Sequence, residues 1–188
     1  MSSPVRMSAA IVLLVATLSH AADGDPVAGK RKTLACNACH GQSGFKSMPK
    51  LGGQSAAYMI AALRAYKEDK RAHATMRDVA HALSEKDIAD LAAYYAAVPK
   101  IVGETTAIAP SGTERCATCH GADGAQPSAP DVALIAGQSA GYLDQTLREY
   151  KSGIRPHPVM QEQVRELSDA QIAELVAWYA AQKGLSVK

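Results

Sequence analysis

Apolar residues recur at helical spacing in two places that echo each other. Ile88, Leu91, Ala92 and Tyr95 fall at i, i+3, i+4 and i+7, and Ile172, Leu175, Val176 and Tyr179 repeat that spacing, so each set predicts the buried face of one helix. Both runs carry a start signal: Ser84 with Asp87, and Ser168 with Gln171, stand where an N-cap and its N3 partner belong. Upstream, Met59, Leu63 and Tyr66 are matched by Leu143, Leu147 and Tyr150, which predicts a second helix in each half. The run DPVAGKRKTLAC predicts a third helix in the first half, with Pro26 in its first turn. No segment alternates apolar and polar residues as a half-buried strand would, so the predicted fold class is all-α.

The echo is a duplication. Gly53 to Met76 aligns without a gap on Gly137 to Met160, and the match runs on through LSEKDIADLAAYYAA and LSDAQIAELVAWYAA, with about 21 identities over about 45 positions. Val98 to Gly112, with two prolines and two glycines, reads as the linker between modules. The segment APSGTER before Cys116 holds both Pro and Gly, so the opening helix of the second module should be short or irregular. Residues 1–21 form a different kind of segment: Arg6 in a short head, an apolar run from Ala9 to Leu18, then Ser19 and Ala21 bracketing a cut. That pattern is a secretory signal peptide, too short to span a bilayer comfortably. The expected organisation is therefore a signal peptide over 1–21, cleaved after Ala21, one module over 22–100 and another over 101–188.

Composition adds a deficit. The chain has 188 residues and a formal charge of +2, which gives no bias toward nucleic acid, and it holds one Phe, one Trp and seven Tyr. Modules of roughly 80 residues are near the lower size at which a side-chain core suffices, and these are poor in bulky groups. Something besides side chains should fill the core.

The candidate chemistry lies in CNACHGQSG at 36–44 and CATCHGADG at 116–124, which contain the chain's only four cysteines. In an oxidising compartment free cysteines join as disulfides, but a disulfide gives no reason for His40 and His120 to follow the second Cys of each pair. In Cys-x-x-Cys-His the thiols of Cys36 and Cys39, or of Cys116 and Cys119, can add across the vinyl groups of a haem while the adjoining His reaches the iron. One porphyrin per module would also supply the missing apolar mass. Structural zinc competes, but it takes four ligands from paired knuckles, and each module offers three from one turn. A thioredoxin-type dithiol competes too, but belongs to a βαβ fold not found in this pattern.

Electron-carrying haem takes a second protein ligand, commonly Met or His. Met1 and Met7 lie in the signal peptide, Met48 has no methionine counterpart, and Met59 aligns with Leu143; Met76 and Met160 alone correspond. His73 and His157, three residues earlier, correspond as well and compete for the iron. His81 faces Arg165 in the alignment and reads as a surface residue.

Two CxxCHG motifs, each followed by GQS and an aromatic, a Y-K helix, a loop ending in Met and a closing LS…IA.L..YYA or..WYA helix, resemble the dihaem cytochrome c4 family over essentially the whole mature chain. The resemblance implies two tandem class I cytochrome c domains, each around one covalent haem c, facing one another across a pseudo-twofold interface. It implies His40 and Met76 on the first iron, His120 and Met160 on the second, and Gly29 where the first helix closely crosses the last one near Tyr94 and Tyr95. It further implies a periplasmic carrier, free or on the outer face of the inner membrane, moving electrons between respiratory complexes such as a quinol-oxidising complex and a terminal oxidase or reductase. The sequence departs from the family in its second half, where the stretch from His120 to Gln138 is four residues longer than that from His40 to Gln54. Pro49 stands where the family places the proline whose carbonyl orients the ligand His, but the second half has Ala133 at that offset and Pro130 earlier.

Iron capped on both sides has no vacant position for substrate, so the expectation is a carrier and not an enzyme. The competing function is a dihaem electron-accepting subunit of a dehydrogenase, such as a flavin-containing sulfide dehydrogenase, or an enzyme oxidising a sulfur anion. Charge is unevenly divided: residues 22–100 hold twelve Lys and Arg against eight Asp and Glu, while 101–188 hold seven against ten. Oppositely charged partners at the two ends would make the electron route directional.

Overall fold

The computed structural model describes residues 24–41, 47–103 and 108–187; the signal peptide predicted over 1–21 lies outside them. The first module contains α1 (Pro26–Lys32), α2 (Leu34–His40), α3 (Ala56–Lys67), α4 (Ala74–His81) and α5 (Glu85–Ala97). The second contains α6 (Thr113–His120), α7 (Ala140–Ser152), α8 (Pro158–Val164) and α9 (Asp169–Ala181). There is no strand among the described residues, only an isolated antiparallel bridge between Gly52 and Ser186. No described helix is long and apolar enough to cross a membrane.

Both closing helices start as their sequences dictate. Ser84 Oγ accepts from Asp87 N at 3.1 Å while Asp87 Oδ2 accepts from Ser84 N at 3.0 Å. Ser168 and Gln171 make the same capping box at 3.2 and 2.8 Å. Each box satisfies two backbone donors that the helix cannot, a contribution of about 1 kcal/mol. The predicted apolar faces are buried: Ile88, Leu91, Ala92 and Tyr95 on α5, and Ile172, Leu175, Val176 and Tyr179 on α9. Met59 of α3 packs with Leu91, Ala92 and Tyr95, while Leu143 and Tyr150 of α7 pack with Val164, Leu167 and the α9 face.

Two elements differ from the sequence expectation. The single helix predicted from DPVAGKRKTLAC is broken at Thr33, whose Oγ1 donates to the Lys30 carbonyl at 2.9 Å and takes that acceptor from the helical ladder. A new helix then begins with Asn37 N on the Thr33 carbonyl at 2.8 Å and carries Cys36, Cys39 and His40. The segments expected as loops ending in Met76 and Met160 are short helices, α4 and α8, with the methionine in the first turn. In the second module the chain enters α6 directly after Gly112 at φ +95°, and Thr113 Oγ1 repeats the Thr33 bond on the Pro110 carbonyl at 2.9 Å. The second module thus opens on one short helix, with no counterpart of α1 among the described residues.

Helix α1 lies across α5 so closely that only glycine fits at the crossing. A Cβ on Gly29 would stand 2.0 Å from the Asp90 carbonyl oxygen and 2.8 Å from Tyr94 Cβ. The crossing is locked by Asp90, which has no exposed surface: its carboxylate accepts from Lys32 Nζ at 2.7 Å, Lys86 Nζ at 2.9 Å and Asp25 N at 2.8 Å. Asp25 in turn caps α1.

The two modules meet in a pseudo-twofold seam. Gln54 Nε2 donates to the Leu134 carbonyl at 2.9 Å and Leu134 N donates back to Gln54 Oε1 at 2.9 Å. The mirror pair is Gln138 Nε2 to the Lys50 carbonyl at 3.0 Å and Lys50 N to Gln138 Oε1 at 2.8 Å. Both glutamines are buried, and each pairs with the residue four places before the other, as a duplicated unit related by a twofold requires. After α9 the chain returns to the linker and the first module: Ile101 N donates to the Gly184 carbonyl at 2.8 Å, and Gly52 and Ser186 exchange bonds at 3.1 and 2.9 Å.

Candidate functional site

Each Cys-x-x-Cys-His segment is held on a short helix that ends at its histidine. The four cysteines are unpaired and partly buried, with Cys36 against the Met59, Leu91 and Tyr95 cluster and Cys116 against the Leu143, Ile172 and Tyr179 cluster. The disulfide alternative is not what the fold builds.

Both histidines are fixed by their inner nitrogen. His40 Nδ1 donates to the Pro49 carbonyl at 2.9 Å, and His120 Nδ1 donates to the Ala133 carbonyl at 2.7 Å. A carbonyl can only accept, so Nδ1 carries the proton and Nε2 keeps a free lone pair, the tautomer a metal needs. Burial lowers the pKa of both rings, partly offset by the carbonyl bond, and the neighbouring His73 or His157 lowers it further. Each imidazole therefore stands neutral. The departure from proline in the second module proves harmless because orientation needs only a backbone carbonyl at the right place, which Ala133 supplies.

The first turns of α4 and α8 carry the methionines. Met76 and Met160 are partly buried, and Met160 packs against the same cluster as Cys116. His73 and His157 are the N-caps of α4 and α8, and their Nδ1 atoms accept from Met76 N and Met160 N, each at 3.2 Å. An accepting Nδ1 places the proton of the neutral ring on Nε2, so neither nitrogen offers a lone pair to a metal. The rings also sit edge-on to Tyr66 and Tyr150, with centroids 6.1 and 5.8 Å apart. The capping role of these histidines was not foreseen from the sequence; the signal was their fixed place three residues before a repeated Met, in front of an unrecognised helix.

Two buried polar groups, Trp178 Nε1 and the Tyr179 hydroxyl, have no hydrogen-bond partner among the described residues. The equivalent Tyr95 hydroxyl finds Asn37 Oδ1 at 2.9 Å, a residue replaced by Ala117 in the second module. Paired half-buried thiols, a neutral histidine with a free Nε2 and a partly buried methionine in each module fit a covalent haem. No group of three or more His, Cys, Asp and Glu residues able to hold a bare metal ion occurs among the described residues.

Comparison with known proteins agrees. Residues 27–98 match the family model for cytochrome c, and residues 111–178 match the model for cytochrome C oxidase, cbb3-type, subunit III. Cytochrome c4 of Pseudomonas aeruginosa is 30% identical over 92% of this chain and 95% of its own length. Cytochrome c4 of Thiocapsa roseopersicina is 34% identical over 80% and 88%. A thiosulfate dehydrogenase electron acceptor of Thiomonas intermedia is 29% identical over 91% and 90%. The crystal structure of reduced recombinant cytochrome c4 from Pseudomonas stutzeri superposes with a TM-score of 0.72 at 24% identity, over 85% of this chain and 99% of that one. With two cytochrome c modules, paired thiols ready for covalent haem c in each, and relatives alike from end to end, the chain belongs to the dihaem cytochrome c4 family.

Proposed function

We propose that the chain is a periplasmic electron carrier, exported by removal of residues 1–21 and built from one haem domain over 22–100 and another over 101–188. Cys36 and Cys39 would hold the first haem, with His40 and Met76 as the side chains that would ligate its iron; Cys116 and Cys119 would hold the second, with His120 and Met160. Bound haem supplies reversible one-electron chemistry. The residues do the rest: the Pro49 and Ala133 carbonyls keep each histidine aimed and basic, and the His73 and His157 caps hold the methionine turns in place. A histidine and a methionine in each module would together leave the bound metal no position for substrate, which favours a carrier over an enzyme. The observation that carries this reading is the pairing of a neutral, carbonyl-anchored histidine with a capped methionine turn in both modules.

A carrier of this build moves electrons between membrane complexes such as a quinol-oxidising complex and a terminal oxidase or reductase. The excess of Lys and Arg in residues 22–100 and of Asp and Glu in residues 101–188 suits partners of opposite charge at the two ends. The test is reduction and oxidation rates of the purified protein against ionic strength: both should fall as salt rises, and indifference to salt would remove steering from the account.

A second reading has its own support, the likeness to the Thiomonas intermedia acceptor over most of both chains. On it, the donor is a sulfur-oxidising dehydrogenase. Size-exclusion of the native extract separates the two, since a free carrier elutes alone and a subunit elutes with its enzyme.

A further inference from the structure

Lys67 and Lys151 stand at equivalent places in the last turns of α3 and α7. Lys67 Nζ donates to the Leu83 carbonyl and Lys151 Nζ to the Leu167 carbonyl, 16 positions further along in each case. The stretch that each bond closes holds a helix with the methionine in its first turn: α4 with Met76 between Lys67 and Leu83, and α8 with Met160 between Lys151 and Leu167. Both acceptors are firmly seated. Leu83 packs against the cluster of Met59, Leu91 and Tyr95, and Leu167 is buried with Leu143, Tyr150 and Val164. Lysine, methionine and leucine recur at identical spacing in the two repeats.

Neither enclosed helix can hold itself. With eight and seven residues, α4 and α8 fall well short of the length at which a helix is stable in water, so their place depends on ties at their ends. The His73 and His157 caps tie the first turn. The lysines tie the other end, where Leu83 N bonds the Ala80 carbonyl at 3.2 Å and Leu167 N bonds the Val164 carbonyl at 3.1 Å as each helix stops. A charged donor on a carbonyl makes the stronger kind of hydrogen bond, and a cation at a helix C-terminus also meets the negative end of the dipole. A second tie runs alongside. Three residues before each lysine, Arg64 reaches Glu85 at 2.7 Å and Arg148 reaches Asp169 at 3.0 Å, but these pairs are exposed and contribute little.

We propose that Lys67 and Lys151 are positioning residues for the iron ligands: each staples the base of a methionine-bearing segment, 68–82 in one module and 152–166 in the other, and sets how readily that methionine leaves the iron. The inference rests on Met76 and Met160 being those ligands. A segment closed at its base opens locally at a cost set by the ties that hold it, while the rest of the module stays folded. Losing the staple therefore makes the methionine's place on the iron accessible to small ligands from solvent in that module, and leaves the other module as it was. The staple is what keeps an electron carrier from becoming a ligand-binding protein.

The experiment is an imidazole titration of the oxidised dihaem protein, followed through loss of the far-red sulfur-to-iron band, in the parent and in Lys67→Leu, Lys151→Leu, Lys67→Arg and Arg64→Gln. Imidazole binds only where methionine has left, so its affinity for each haem reports how far the segment's equilibrium lies toward opening. Each Leu variant should tighten binding at one haem, a different one for each lysine, by about tenfold or more, the worth of a hydrogen bond from a charged donor. Lys67→Arg should restore most of the parent's resistance, and Arg64→Gln should match the parent. Parent affinity at both haems in Leu variants that keep two haems and the parent's circular dichroism would overturn the staple while leaving the methionine ligands in place. An equal change at both haems would overturn its confinement to one module. A parent without the far-red band would overturn the ligand assignment, and the staple with it. Should the Leu variants fail to accumulate, pulsed acetylation of the parent read by mass spectrometry decides: Lys67 and Lys151 should label faster with imidazole bound than without, and equal labelling would overturn the coupling.

Discussion

The side-chain amide of Gln54 and the backbone of Leu134 exchange two hydrogen bonds across the seam, at 2.9 Å each, from residues eighty positions apart in the chain. Gln138 and Lys50 repeat the exchange. Gln54→Leu would leave the Leu134 N–H and carbonyl buried and unpaired, at a cost of about 2–3 kcal/mol. Gln138→Leu should behave alike, and the double variant should separate one thermal transition into two as the modules uncouple. Calorimetry checks both outcomes.

Gly29→Ala forces a methyl onto the Asp90 carbonyl oxygen, a site where backbone and not a flexible side chain would have to move. Helices α1 and α5 must part, and a loss of about 2 kcal/mol or more is expected in denaturant unfolding of the first module. The second module, which has no such crossing among the described residues, should unfold at its usual midpoint.

Acid should loosen the same crossing first. Hydrogen bonds from Lys32 and then Ser84 depress Asp87 to about 2, and those from Lys32, then Lys86 and Asp25, depress Asp90 as well. Both folded values lie below the unfolded carboxylate value near 4, so this stabilisation is complete above that value and is lost as pH falls toward 2. Asp90→Asn should be less stable than the parent at pH 7 and should show a shallower loss between pH 4 and 2, measured by circular dichroism.

His73→Ala and His157→Ala separate cap from ligand. As caps, the histidines contribute about 1 kcal/mol each by accepting from the methionine N–H, so both variants should be modestly destabilised yet keep the weak far-red absorption of sulfur-to-iron coordination. Met76→Ala or Met160→Ala should each remove about half of that band. Its persistence in a Met variant, with loss in a His variant, would reverse the assignment.

The duplication, the two helices per module read from apolar spacing, the capping boxes and the Cys-x-x-Cys-His anchors could be read from residues because each is a local pattern. Ser84 and Asp87 declare a helix start within four positions, and Gly29 was placed at its crossing through the family resemblance. What escaped reading depends on contacts distant in sequence or on a single competing bond. Thr33 breaks a helix because its hydroxyl takes the Lys30 carbonyl, a choice that propensity does not announce. The carbonyl of Ala133 serves His120 through loop geometry that no side chain encodes. Gln54 and Gln138 were visible only as identities between repeats; that they meet one another's module becomes apparent once the modules are laid face to face.

The account depends on both modules carrying covalent haem. Intact-mass spectrometry of the mature protein, made in a host competent for cytochrome c maturation and paired with a haemochrome count, tests it most directly. A mass equal to the polypeptide from residue 22 plus two haems is predicted; a bare polypeptide, or a chain bearing one haem, would contradict it.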